Sequence, residues 1–65
     1  MPTLDPAHRL AMINVASDML LEARTNILQA AQHLRGHDLE RVWEAIRLID
    51  EASAQLDKAA RLSRH

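Results

Sequence analysis

A chain of 65 residues with no cysteine, one glycine and one tryptophan has room for a single small domain and none for disulfides or thiolate metal sites. A formal net charge of −1 sets up no global field toward nucleic acid or an anionic membrane. A domain this short buries only about 60% of its unfolded surface, so a partner surface is the remaining common route to stability.

Alanine and leucine dominate, at 11 and 10 residues, and both are strong helix formers. The predicted fold class is all-α: an antiparallel αα-hairpin occupying residues 1–65, dimerising into a four-helix bundle. Asp5-Pro6 is a good helix start, because aspartate caps orphan N–H groups and proline at the first helical position loses no needed donor. The first helix is predicted from about residue 6 to 35. Gly36 then closes it, within a loop over about 35–38. Asp38 offers the next N-cap, and the second helix is predicted over about 39–62. Its acidic start (Asp38, Glu40, Glu44) and basic end (Lys58, Arg61, Arg64) both suit the helix dipole.

Large and small apolar residues alternate along both segments with a seven-residue repeat. Ile13, Leu20, Ile27 and Leu34 interleave with Ala16, Ala23 and Ala30; Val42, Ile49 and Leu56 interleave with Ala45, Ala52 and Ala59. Facing residues of an antiparallel hairpin have a constant total of residue numbers. The large pairs Leu34/Val42, Ile27/Ile49 and Leu20/Leu56 total 76, and the small pairs Ala30/Ala45, Ala23/Ala52 and Ala16/Ala59 total 75. Both totals put the turn near position 38, close to Gly36, and the layers read as a coiled-coil seam.

The apolar surface is wider than one seam uses. Leu10, Leu21, Leu28 and Ala31 extend the first helix's stripe on one flank, and Met12 and Met19 extend it on the other. Leu39 and Ile46 widen the second helix's edge, while Trp43, Leu48 and Leu62 lie off it. Leu10, Met12, Met19, Leu21, Leu28, Ile46 and Trp43 are therefore the predicted dimer or partner interface. A second copy of the chain is the expected partner, with another protein as a further one.

No Gly-rich phosphate loop and no nucleophile beside a base marks the chain as an enzyme, and no cofactor is expected. His33 and His37 have the i,i+4 spacing of metal ligands, but Gly36 interrupts the helix between them. The same glycine invites a helix-turn-helix reading, against which stand the length of both helices and the residues Gln32 and Arg35. Arg9, Lys58, Arg61 and Arg64 fall at one end of the hairpin and are the candidate nucleic-acid contacts, without an aromatic platform and offset by Asp5 and Asp57. No apolar run is long enough to span a bilayer, and Met1-Pro2-Thr3-Leu4-Asp5 lacks the pattern of a secretion signal, so a cytoplasmic location is expected.

The large/small layering resembles Rop-type proteins, which pair two hairpins into a four-helix bundle. That resemblance implies a dimer and, as the alternative function, a nucleic-acid-binding regulator. The outer face of the first helix carries Asp18, Glu22, Thr25 and Gln29, with few cations, so the RNA contacts of that family are not carried over. Locally, Leu21-Glu22-Ala23-Arg24-Thr25-Asn26-Ile27 and Leu62-Ser63-Arg64 are similar to the dimerisation hairpin of sensor histidine kinases. Leu21 stands where that family's phosphorylated histidine would be, and Asn26 replaces its usual proline. The likeness implies a dimerisation module without phosphotransfer. The leading expectation is a non-catalytic regulatory or adaptor protein acting through protein–protein interaction.

Overall fold

A computed structural model describes residues 5–63. Two helices, α1 (Pro6–Ala31) and α2 (His37–Ser63), pack against each other as an antiparallel hairpin with extents of 48 × 21 × 15 Å. Among the described residues there is no strand.

The start of α1 matches the cap read from sequence. Asp5 is extended (φ −67°, ψ 159°), and its Oδ1 accepts a hydrogen bond from the His8 N–H at 2.9 Å. Pro6 opens the helix at a position whose missing N–H costs nothing.

The far end differs from the sequence expectation. α1 stops at Ala31 rather than near residue 35. The N–H groups of Gln32, His33 and Leu34 donate to the carbonyls of Gln29, Ala30 and Ala31 at 3.0–3.2 Å. These three-residue closures tighten the chain and satisfy carbonyls that a helix end leaves open. Gly36 is the described residue with positive φ, at 63°, a conformation that side chains with a Cβ rarely adopt. α2 begins at His37, and the Glu40 N–H donates to the Gly36 carbonyl at 3.1 Å. Asp38 thus lies inside the first turn beside Glu40 rather than capping it. There its charge still suits the helix N-terminus.

The seam between the helices is shifted part of the way toward one flank of the one expected. The large row Ile13, Leu20, Ile27 and Leu34 is half-buried, as are Val42, Ile49 and Leu56. Of the alanine rows beside them, Ala16, Ala23, Ala45 and Ala59 are half-buried as expected. Ala60 is 9% exposed, and Ser17, Arg24, Ala31 and Ser53 are half-buried, whereas Ala30 and Ala52 are exposed. The shift has a physical reason. Turning toward that side covers Leu10, Leu28, Leu39 and Ile46, which remove more apolar area from water than alanines do.

Ile46, 6% exposed, is the most buried side chain among the described residues. Ile46→Ala is expected to lower stability by about 2–5 kcal/mol in a denaturant titration, through lost transfer energy and a residual cavity. A change within experimental error would contradict the packing described.

Candidate functional site: two unlike faces of the hairpin

Helical geometry and the antiparallel register sort the residues beside the seam onto two faces. The first is marked by contacts. Arg24 Nε donates to Asp50 Oδ1 at 2.9 Å, and among the described residues this is the one ion pair joining the two helices. Both side chains are partly solvated, so it contributes only about 0.2–1 kcal/mol. Nearer the open end, Asn14 and Ser17 of α1 with Asp57, Ala60 and Arg61 of α2 line an open depression of about 290 Å³. Trp43 (51% exposed) and Leu21 (59%) belong to this face by their helical positions. It is amphipathic: two large apolar groups set among amides, hydroxyls and paired charges.

The opposite face has a different chemistry. Met12, Val15 and Met19 of α1 are 55–63% exposed. Met12 and Val15 join His8 and Ala11 around a shallow hollow of about 250 Å³. On α2 the same side carries Leu48 (52% exposed) and Leu62 (77%). Between these large rows run the two alanine rows that the seam leaves at its edge. In the seven-residue rows through Met12 and Ala16 (residues 12–30) and through Ala45 and Leu48 (residues 41–62), Arg41 is the one charged residue.

The residues singled out from sequence divide between the two faces. Met12 and Met19 lie on the alanine face. Leu21 and Trp43 lie on the amphipathic face, with Leu10 and Leu28 half-buried along its inner edge. Ile46 is enclosed within the hairpin, so its side chain is not presented to a second chain. Of the basic residues, Arg9, Lys58 and Arg61 are exposed toward the open end, and Arg64 lies outside the described residues. Arg61 shares its depression with Asp57, and Asp5 sits at the N-cap of α1. His33 and His37 belong to the turn and to the first residue of α2, so they do not share one helical turn.

Sequence reasoning missed the polar line on the amphipathic side. Ser17 and Arg24 lie in the same seven-residue row as Leu10 and Ala31, and Ser53 lies in the row of Ile46 and Ala60. That interruption of an otherwise apolar row was a readable signal of a seam with one wet edge.

The outer surface of α2 carries a charge network. Arg47 donates to Glu44 Oε2 at 3.1 Å through Nε and to Glu51 Oε1 at 2.6 Å through Nη1, and its Nη2 also reaches Glu44. The hydrogen bonds from Arg47 hold the Glu44 carboxyl below its ordinary pKa, and the same pairing raises that of Arg47. His37 Nδ1 lies 3.3 Å from Glu40 Oε2, a solvated pair near the start of α2.

The comparisons add no relative: no family model matches the chain, and no curated protein or solved structure matches it.

Because Glu44 titrates lower in the folded chain than in the unfolded one, its contribution is present above the ordinary carboxylate pKa. It is lost as pH falls through the lowered value. Far-UV circular dichroism across an acid titration should show a shallower loss of helix in Glu44→Gln than in the parent. Superimposable profiles would remove the Glu44–Arg47 pair as a contributor.

Proposed function

We propose that the chain is a non-catalytic interaction protein that works as a homodimeric four-helix bundle, with regulatory or adaptor roles carried by its outer surface. One observation carries this reading. The hairpin exposes 5390 Å², whereas a compact monomer of its 7.4 kDa mass exposes about 4,200 Å². Only Ile46 and Ala60 are buried among the described residues, while seven large apolar side chains are more than half exposed. A hairpin in this state has a seam but little core, and a second hairpin supplies the missing layer. Two-fold pairing of identical chains is the commonest arrangement that does so.

The Rop-type resemblance enters at the same level: two hairpins, layered large and small residues, one bundle. The alternative of nucleic-acid binding through Arg9, Lys58, Arg61 and Arg64 has less support. Its cations are few, they are interleaved with Asp5 and Asp57, and the chain's net charge is −1. The kinase-hairpin resemblance agrees with a dimerisation module, since Leu21 offers no atom to phosphorylate.

A dimer is expected in sedimentation equilibrium, with a thermal midpoint that rises as protein concentration is raised. A folded monomer at micromolar concentration, with a concentration-independent midpoint, would overturn the proposal.

A further inference from the structure

Resting on the dimer just proposed, we infer that one particular face makes the self-interface: the alanine face, with Met12, Met19, Leu48 and Leu62 as its large residues. The occupant is a second copy of this chain. The amphipathic face of Leu21, Trp43 and the Arg24–Asp50 pair stays in solvent.

Three observations distinguish the faces. The first is area. The surface exceeds that of a compact monomer by about 1,200 Å², the excess of a rod 48 Å long that pairing along its length would reduce. Pairing along the length needs a largely uncharged strip over most of a helix pair about 40 Å long, which the alanine face provides.

The second is charge. An interface core is depleted of charged groups, because a desolvated charge left without a partner is costly. Within the two helices its four rows hold three charged residues, Arg9, Asp38 and Arg41, all near the ends of the strip, at the rim. The opposite face would have to desolvate Asp50, Asp57, Arg24 and Arg61, whose polar atoms are already directed at each other or at solvent.

The third is shape. Exposed Ala30 and Ala52 belong to rows that run between the methionine side of α1 and the leucine side of α2. A trough of small residues flanked by large flexible ones is self-complementary under a two-fold operation, so the flank of one copy can enter the trough of the other. The seven-residue alternation of large and small residues then finds its use. In one hairpin the alanines lie at the edge of the seam, and on pairing they become the inner corner of a four-helix core. Asn26 and Gln55, the amides in the outer rows, carry no charge to bury.

The absence of cysteine makes a clean test. Leu48→Glu and Ala52→Glu should each weaken dimerisation at least tenfold by sedimentation equilibrium, while Leu21→Glu leaves it within twofold. As an independent measurement on gentle substitutions, single-cysteine variants Met19→Cys and Leu21→Cys are alkylated with iodoacetamide above and below the dimer dissociation constant. Met19→Cys should be protected at least tenfold in the dimer and Leu21→Cys should not. A dimer in which Leu21→Cys is the protected site, or in which Leu21→Glu alone dissociates the chains, overturns the assignment of the face and leaves the dimer standing. A parent chain that stays monomeric at every concentration overturns the dimer itself.

Discussion

Two helices can bury only one stripe each against the other, and the rest of this molecule follows from that limit. The described chain is almost wholly helical, with 26 residues in α1 and 27 in α2. Backbone hydrogen bonds are therefore satisfied locally, and apolar burial must come from side-chain contact between two rods. That contact encloses Ile46 and Ala60 and half-covers two rows of large residues. Fixing the backbone of each residue costs about 1–2 kcal/mol, and a single seam offsets that cost poorly. The exposed Met12, Met19, Leu48 and Leu62 are the surface the limit leaves over.

How the limit is met depends on which side of the large rows the helices choose. The row through Ile13, Leu20 and Ile27 has alanines on one flank and a mixed row of Leu10, Ser17, Arg24 and Ala31 on the other. Within one hairpin the mixed flank wins, because Leu10, Leu28, Leu39 and Ile46 bring larger apolar areas and Arg24 can reach Asp50. The same shift leaves Ala30 and Ala52 exposed, while Ala16, Ala23, Ala45 and Ala59 stay half-buried at the edge. An arrangement that serves both flanks at once needs more than two helices, and it gives the hairpin two faces of unlike chemistry rather than one uniform surface.

Much of this was legible in the amino-acid order. Asp5-Pro6 marked the start of α1, Gly36 the turn, and the seven-residue repeat the pairing of the helices. The pair Arg24/Asp50, with residue numbers totalling 74, falls near the register deduced from the repeat. Two features were less legible. The end of α1 depends on how a few carbonyls are satisfied: three-residue closures over Gln32 to Leu34 shortened the helix without any residue that marks it. The shift of the seam depends on a competition between flanks, which periodicity alone does not decide. The outward position of Leu21 and Trp43, the enclosure of Ile46 and the exposure of Ala52 all followed from that one choice.

The proposed dimer divides the labour between one face for self-association and one, with a lone tryptophan among polar groups, left to meet other molecules. The most direct test is an isotope-filtered NOE experiment on a dimer mixed from labelled and unlabelled chains. Intermolecular contacts are predicted from the Met19 methyl to alanine or leucine methyls of the rows through Ala52 and Leu48, with none to the Trp43 indole. Intermolecular contacts centred on Leu21 and Trp43, with the Met19 methyl silent, would contradict the account.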